Sequence, residues 1–320
     1  MTTPVLDIRD LSVSYRSERG PIRALRHINM RVSPGRIIGI VGESGCGKST
    51  LISAIIRLLA PNAQIEGGSI LFRETNLLGL DPEGMRALRG AEISMVFQDP
   101  MTSLNPVITI GRQMMDVQHR EDRSKSDKRA RASRMLDRVG IPDSAEQLNR
   151  YPHQLSGGMR QRVAIAMALM TEPGLLIADE PTTALDATLE VQIIHRLQQL
   201  QRDFGCAILF ISHHLGVIAE LCDEVVVMYA GEVVEEGPMR DVFLNPLHPY
   251  TQKLLECDPS RIERATRELP VIGGSLPDLA RLPDGCVFRP RCDRPIGKCS
   301  RERPELTGGD HCAACHVARQ

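Results

Sequence analysis

The chain has 320 residues, of which 42% are hydrophobic and 25% are charged, and its formal net charge is −1. This composition is typical of a globular protein and indicates no polyanion partner, and 3% aromatic residues without Trp offer little for stacking on nucleic-acid bases. Charged residues at Asp7, Arg9 and Asp10 interrupt the apolar stretch that a secretory signal needs, so export is not expected. Every apolar run falls far short of the ~18 residues of a membrane-spanning helix, so any membrane contact is expected to go through a partner.

Runs rich in Val and Ile predict strands that alternate with helical patterns. The strands are predicted at Val5 to Tyr15, Ile37 to Val41, Ile93 to Phe97, Leu175 to Ala178, Ala207 to Ile211 and Val225 to Tyr229. The strongest helical pattern spans Ala187 to Arg202, where apolar residues recur on one face. Such alternation predicts an α/β fold with a mainly parallel sheet covered on both sides.

The chain changes character at two places. Between Asp99 and Pro173 polar helical stretches, such as Ser126 to Val139, replace the strand signal, which predicts an inserted helical lobe over about residues 99–173. After Glu256 the sequence turns to Pro, Gly and Cys with little periodicity. We therefore predict a large α/β domain over residues 4–255 and a small irregular cysteine-rich module over residues 256–320.

A glycine-rich loop follows the strand Ile37 to Val41, and an apolar helix is predicted after it, over Leu51 to Leu59. The loop fits the pattern G-x-x-x-x-G-K-[ST], whose backbone N–H groups and helix dipole bind phosphate. Lys48 is expected to reach the β- and γ-phosphates, and Ser49 to ligate Mg²⁺. The nucleotide-binding residues predicted in this loop are Gly42, Ser44, Gly45, Cys46, Gly47, Lys48, Ser49 and Thr50.

A second element of the phosphate chemistry is the apolar strand that ends in Asp179 and Glu180. Asp179 is expected to hold the magnesium ion through its hydration shell, and Glu180 to polarise the attacking water as general base. Together with the glycine-rich loop, these two carboxylates predict nucleotide hydrolysis.

The segment Leu-Ser-Gly-Gly-Met-Arg-Gln at residues 155–161 resembles the signature sequence of ATP-binding cassette ATPases, with Met159 where the family often has Gln. The resemblance covers roughly Val5 to Leu255 and implies a P-loop NTPase with a RecA-like core sheet and an inserted helical subdomain. In the family, two such domains dimerise head to tail around two ATP molecules. Four residues are therefore expected to contact the nucleotide of a partner subunit: Ser156, Gly157, Gly158 and Gln161.

The other family elements occur in order along the chain. Tyr15 resembles the aromatic residue that stacks on adenine, and Gln98 resembles the glutamine that acts in catalysis and ligates Mg²⁺. Asp186 lies in a stretch similar to the D-loop, and His213 resembles the switch histidine that contacts the γ-phosphate. His214 departs from the family, which usually has Asp there. Neighbours at a strand end are expected to point in opposite directions, so a metal site at these two histidines is not predicted.

Three stretches resemble the ATPases of oligopeptide and dipeptide importers: residues 97–106, 151–155 and 245–251. The resemblance implies ATP-driven uptake of di- or oligopeptides, by a peripheral subunit at the cytoplasmic face of the cell inner membrane. Its implied partners are two permease subunits, a second ATPase that is either a related chain or a second copy of this one, and a substrate-binding protein, without nucleic acid. Nickel or metal-chelate importers carry a similar extension and remain an alternative, as does a soluble cassette ATPase outside transport.

Five of the nine cysteines lie in the last 35 positions. In a reducing compartment, clustered thiols favour metal binding over disulfides. Subunits of the dipeptide-permease type have a similar set, which in some members ligates a 4Fe–4S cluster, and the resemblance implies this role for Cys286, Cys292, Cys299 and Cys315. Cys312 is an alternative fourth ligand, and a structural zinc is the alternative metal.

Overall fold

A computed structural model describes residues 3–18, 20–99, 103–182, 187–258 and 269–318, with Ala187 described by its backbone alone. The described residues fall into two compact units. The described residues within 33–36 and 80–211 form one unit, and those within 3–32, 37–79 and 212–318 form the other. The boundaries predicted at residues 99, 173 and 255 stay predictions.

The secondary structure alternates between strands and helices. The described strands are β1 (Leu6–Tyr15), β2 (Ile22–Val32), β3 (Ile37–Val41), β4 (Ala63–Phe72), β5 (Thr75–Asn76), β6 (Ile93–Val96), β7 (Leu175–Asp179), β8 (Ala207–Ile211), β9 (Glu224–Tyr229), β10 (Glu232–Pro238), β11 (Thr307–Gly308) and β12 (Cys312–Ala313). The described helices are α1 (Lys48–Ile55), α2 (Pro82–Leu88), α3 (Ile110–Val117), α4 (Lys125–Arg138), α5 (Ser144–Gln147), α6 (Gly157–Leu169), α7 (Ala187–Phe204), α8 (Leu215–Leu221), α9 (Met239–Leu244) and α10 (Pro249–Glu256). Within these ranges no helix combines the length and the apolarity that crossing a bilayer requires.

The unit that contains residues 80–211 is built on three parallel strands in the order β6-β7-β8. The residues of β7 from Leu175 to Ala178 are buried, as a parallel strand covered on both faces requires. Helix α7 confirms the predicted helix and ends at Phe204, two residues later than expected. Its apolar stripe buries Ile193, Ile194, Leu197 and Leu200.

The other unit contains two sheets. Strands β1, β2, β4 and β5 form an antiparallel sheet in the order β2-β1-β4-β5, and the second sheet has the order β3-β9-β10-β12-β11 with β3 and β9 parallel. The prediction of a mainly parallel sheet is wrong for β1, which pairs antiparallel with both neighbours. Half of β4 is solvent-exposed, so its sequence lacks the apolar run that predicts a buried strand.

The C-terminal residues pack on the core of this second unit. Strand β12 pairs with β10, placing Ala313 opposite Glu235. Phe288 meets Tyr229 and Tyr250, with ring centroids 5.2 and 5.4 Å away, and the two tyrosine rings lie 4.6 Å apart. All three rings are fully buried, so a segment of low periodicity is anchored by aromatic packing.

Candidate nucleotide site

The glycine-rich loop connects β3 to α1 and has a conformation that only glycine tolerates at two positions. Gly42 has φ +150°, and a Cβ there would overlap the carbonyl oxygen of Met228. Gly47 has φ +108°, and its Cβ would lie 2.7 Å from the carbonyl oxygen of Ala24. The helix begins at Lys48 and ends at Ile55 rather than spanning Leu51 to Leu59. The backbone of the loop therefore approaches its neighbours too closely for any other residue.

Lys48 lies at the centre of this loop. Its Nζ donates to the carbonyl oxygens of Gly42 at 2.6 Å and Glu43 at 3.1 Å, and lies 3.6 Å from the sulfur of Cys46. The side chain is buried, so the ammonium group is fixed within the loop by its own carbonyls. Burial raises the pKa of the Cys46 thiol, which is therefore neutral at physiological pH.

The remaining residues predicted for this loop surround Lys48. Ser44, Gly45 and Ser49 are exposed, as groups that meet a bound nucleotide must be. Tyr15 ends β1, and its hydroxyl lies 3.2 Å from Oγ1 of Thr50 in the first turn of α1. The fold therefore brings the predicted adenine-stacking residue next to the phosphate loop.

The two predicted catalytic residues of the other unit are hydrogen-bonded to each other. Gln98 follows β6 and Glu180 follows β7, and the parallel register of these strands brings their ends together. The Nε2 atom of Gln98 donates to Oε2 of Glu180 at 2.9 Å. Glu180 has the left-handed backbone angle φ +45°, and its N–H donates to the carbonyl of Ile211. Asp179 is the last residue of β7 and is half-buried.

The predicted signature segment begins helix α6. Ser156 caps the helix, with its Oγ accepting from the backbone N–H of Met159 at 3.3 Å. Ser156 and Gly157 are exposed, whereas Gly158 is buried. The start of the helix therefore offers backbone donors and a positive dipole end to an external anion.

Comparison with known proteins identifies this arrangement. Residues 25–183 match the ABC transporter family, and residues 234–299 match the oligopeptide/dipeptide transporter C-terminal region. An oligopeptide transport ATP-binding protein of Salmonella typhimurium is 46% identical over 301 residues, which are 94% of this chain and 89% of the relative. The chain belongs to the ATP-binding cassette transporter family.

Two further matches agree with that assignment. A dipeptide transport ATP-binding protein of Bacillus subtilis is 45% identical over 320 residues, covering 99% of this chain and 95% of the relative. A solved dimeric ATP-binding cassette, in a post-hydrolysis state with bound ADP and Pi, is 28% identical with a TM-score of 0.66, covering 73% of this chain and 99% of that one. The predicted cassette fold and ATPase activity are thereby confirmed.

The predicted switch histidine, His213, lies just beyond the end of β8. His213 is exposed beyond β8, as a residue that meets γ-phosphate must be. The expectation that it points away from His214 is wrong, because the two ring centroids lie 4.4 Å apart, edge to face. Both residues follow the strand end at Ile211, so the alternation of a strand no longer separates them. Asp186 lies outside the described residues.

Gln161 lies away from the exposed start of its helix. Its side chain is 2% exposed, and its Nε2 has no hydrogen-bond partner among the described residues. Since α6 buries the face that carries Gln161 and Ile165, the helix does not bring Gln161 to the surface that Ser156 presents. Its predicted contact with a nucleotide gains no support from this geometry.

The four predicted cysteine ligands are electrostatic neighbours. Burial raises the pKa of Cys286 to about 11, with further contributions from Cys299 and Cys315. Burial also raises the pKa of Cys292 and Cys315, and Cys299 adds to both shifts. Cys312 lies instead on β12, and its thiol donates to the carbonyl of Gly309.

These thiols do not form a closed metal site in the part of the chain that the structure describes. No group of three or more His, Cys, Asp or Glu side chains there is arranged to hold a metal ion. The backbone N–H groups of Phe288 and Arg289 nevertheless lower the pKa of Cys286 and partly offset the effect of burial. The iron–sulfur and zinc predictions gain no support from the geometry and stay predictions.

One functional contact was missed by sequence analysis. Glu43, the second residue of the phosphate loop, donates its N–H to the hydroxyl of Tyr250 at 2.9 Å. Its carboxylate accepts two hydrogen bonds from Arg291, which raise the pKa of that guanidinium above its ordinary value. The motif leaves this loop position unspecified, and 248 residues separate the two partners, so no local pattern could reveal the contact.

Proposed function

We propose that this chain is the ATP-hydrolysing subunit of an importer that takes up di- or oligopeptides. The observation that carries this proposal is the match of residues 234–299 to the C-terminal region of oligopeptide/dipeptide transporters, in a chain that also contains the cassette. The Salmonella and Bacillus relatives are named for the same substrate class. The subunit would work at the cytoplasmic membrane face, with two permease subunits, a substrate-binding protein and a second, related ATPase.

Phosphate binding is assigned to the glycine-rich loop. Its backbone N–H groups and the start of α1 attract the anion, and the fixed ammonium group of Lys48 neutralises the β- and γ-phosphates. Ser49, Asp179 and Gln98 carry oxygen ligands of the kind that Mg²⁺ prefers, and the ion supplies further neutralisation of the phosphates. Tyr15 is assigned to adenine.

Hydrolysis is assigned to Glu180, which takes a proton from the water that attacks the γ-phosphate. Gln98 supports this role, because its amide hydrogen bond orients the carboxylate. His213 is assigned to the γ-phosphate. The signature residues Ser156 and Gly157 face outward and would contact the nucleotide held by the second ATPase, so two cassettes complete each site.

A second part of the proposal is that Cys286, Cys292, Cys299 and Cys315 hold a 4Fe–4S cluster or a zinc ion. Its support is that Cys299 contributes to the raised pKa of each of the other three thiols, as a near neighbour does. The test is iron, sulfide and zinc analysis of the full chain purified without oxygen. We expect C292S to lose the bound metal and C257S to retain it, and protein without any metal would contradict this part.

The substrate is tested in the complete transporter. The subunit is reconstituted in lipid vesicles with its permeases, second ATPase and binding protein, and ATP turnover is measured with the binding protein loaded with dipeptides, longer peptides or a nickel chelate. We expect peptides to stimulate turnover, and an E180Q subunit to abolish the response. Stimulation by the nickel chelate alone would reassign the substrate, and equal turnover with every ligand would contradict the proposal.

A further inference from the structure

The C-terminal module contacts the phosphate loop directly. Arg291 donates from Nη1 to Oε2 of Glu43 at 2.7 Å and from Nη2 to Oε1 at 3.1 Å, a bidentate arrangement. The side chain of Arg291 is 4% exposed and that of Glu43 is 25% exposed. An ion pair shielded in this way is screened by salt much less than a surface pair, so it influences the loop strongly.

All three nitrogens of the Arg291 guanidinium donate hydrogen bonds that hold the side chain in place. Its Nε donates to the carbonyl of Gly273 at 2.9 Å, its Nη2 to that of Ile272 at 3.0 Å, and its Nη1 to the hydroxyl of Tyr229 at 3.3 Å. This planar fork cannot follow a displaced carboxylate without losing those bonds. Arg291 therefore imposes a position on Glu43.

The backbone of Arg291 is anchored as firmly as its side chain. It ends a 3₁₀ turn over Arg289–Arg291, directly after the buried ring of Phe288. That ring packs against Tyr229, whose hydroxyl accepts from Arg291, and against Tyr250, whose hydroxyl accepts from the N–H of Glu43. The same aromatic group thus supports both contacts to Glu43.

Glu43 in turn contacts the residue that binds phosphate. Its carbonyl oxygen accepts from Nζ of Lys48 at 3.1 Å, so a shift of the Glu43 backbone shifts one of the acceptors that hold the ammonium group. A carboxylate next to a polyphosphate site also repels the incoming anion unless a cation compensates it. Arg291 supplies this compensation.

We propose that Arg291 is a positioning residue of the ATPase site: it neutralises Glu43 and fixes the loop segment whose carbonyl holds Lys48, so that the C-terminal module sets the affinity for ATP. The proposal concerns nucleotide binding by the cassette and does not depend on which solute the transporter carries. Arg291 acts through Glu43 and Lys48 rather than on the reacting atoms.

The test measures the affinity of the full chain for a fluorescent ATP analogue, together with KM and kcat for ATP. We expect R291M to weaken ATP binding about 10-fold, as the loss of a charge-assisted contact commonly does, and to raise KM with kcat within about threefold of wild type. R291K keeps the positive charge but lacks the planar guanidinium, so its ATP affinity should lie between those of wild type and R291M. R294M is the matched control, because Arg294 lies in the same module and contacts Gln252 instead of the loop.

Charge neutralisation is tested by the double variant E43Q/R291M. It removes the carboxylate that R291M leaves uncompensated, so we expect its ATP affinity to recover to within about threefold of E43Q. Wild-type affinity in R291M, with only a lower melting temperature, would overturn the proposal. A double variant that binds ATP as weakly as R291M, while E43Q alone binds it like wild type, would also overturn it. R291K and E43Q keep the test decisive if R291M does not fold.

Discussion

Gln98 donates a hydrogen bond to the carboxylate of Glu180 across 2.9 Å and so joins the ends of β6 and β7. Glu180 has a left-handed backbone at φ +45°, a conformation that costs a residue with a side chain about 1 kcal/mol or more. The unusual backbone and the hydrogen bond together fix the direction of the carboxylate.

Removing the carboxylate tests the assignment of the general base. E180Q preserves the size of the side chain and its ability to accept from Gln98, but an amide cannot take a proton from water. We expect ATP binding to be retained and turnover to fall by at least about 10²-fold. Single-turnover hydrolysis measures the loss. The control is E83Q, which changes an exposed glutamate in the first turn of α2 and should hydrolyse ATP normally. Normal turnover in E180Q would show that Glu180 is not the base.

Replacing Gln98 with a second acid tests its influence on the base. In Q98E two carboxylates lie side by side, and like charge raises the pKa of Glu180. Because the base acts only when deprotonated, the acid limb of the kcat–pH profile should move to higher pH. Q98A, which adds no charge, should lower kcat without that shift. An identical acid limb in all three proteins would show that the two side chains do not interact during turnover.

Two glycines of the phosphate loop form a matched pair. Both have positive φ, but a Cβ at Gly42 would overlap the carbonyl of Met228, whereas the space around Gly45 is open. We expect G42A to displace the loop and weaken ATP binding at least 10-fold, roughly the effect of 1.4 kcal/mol. G45A should cost about 1 kcal/mol of folding stability and weaken ATP binding less than G42A does. Calorimetric titration with ATP separates the two results; equal affinities would contradict the steric argument.

Acid sensitivity is predicted from His248. Burial lowers the pKa of this fully buried imidazole from 6.5 to about 3, so the unfolded chain binds the proton first as the pH falls. The stabilisation from neutral His248 is therefore complete above about pH 6.5 and is lost between that pH and about 3, at up to roughly 1.4 kcal/mol per pH unit. Between pH 7 and 5 the loss amounts to about 2 kcal/mol.

The variant H248N isolates this effect. Nδ1 of His248 accepts from the N–H of Tyr250 at 3.0 Å, and an asparagine oxygen can replace that acceptor without titrating. Urea unfolding at pH 7 and pH 5 should show a smaller loss of stability in H248N than in wild type. Glu236 acts in the opposite direction, because burial raises its pKa, but it is present in both proteins. Equal losses would exclude His248 as the acid-sensitive group.

The sequence predicted those parts of the site that depend on local pattern. The strand and glycine loop around Lys48 and the carboxylates at the end of β7 lie where their motifs placed them, because each is built within a few residues. The helix after the loop was predicted as well, but it begins at Lys48 instead of Leu51. The pairing of β1 with β2 and β4 was not predicted, because an exposed antiparallel strand lacks the apolar run of a buried one. The contact of Glu43 with Arg291 depends wholly on tertiary structure, so it could not be predicted from the spacing of the motifs.

The three packed rings of Tyr229, Tyr250 and Phe288 have a practical consequence for cutting the protein. The chain contains only four tyrosines and six phenylalanines, so this group is a large share of its aromatic material. Ending the polypeptide after α10 would expose Tyr229 and Tyr250 to water and remove Arg291, the cation that pairs with Glu43. A shortened cassette would therefore differ from the intact subunit in solubility and in nucleotide affinity at once, and measurements on such a fragment would not describe the working ATPase.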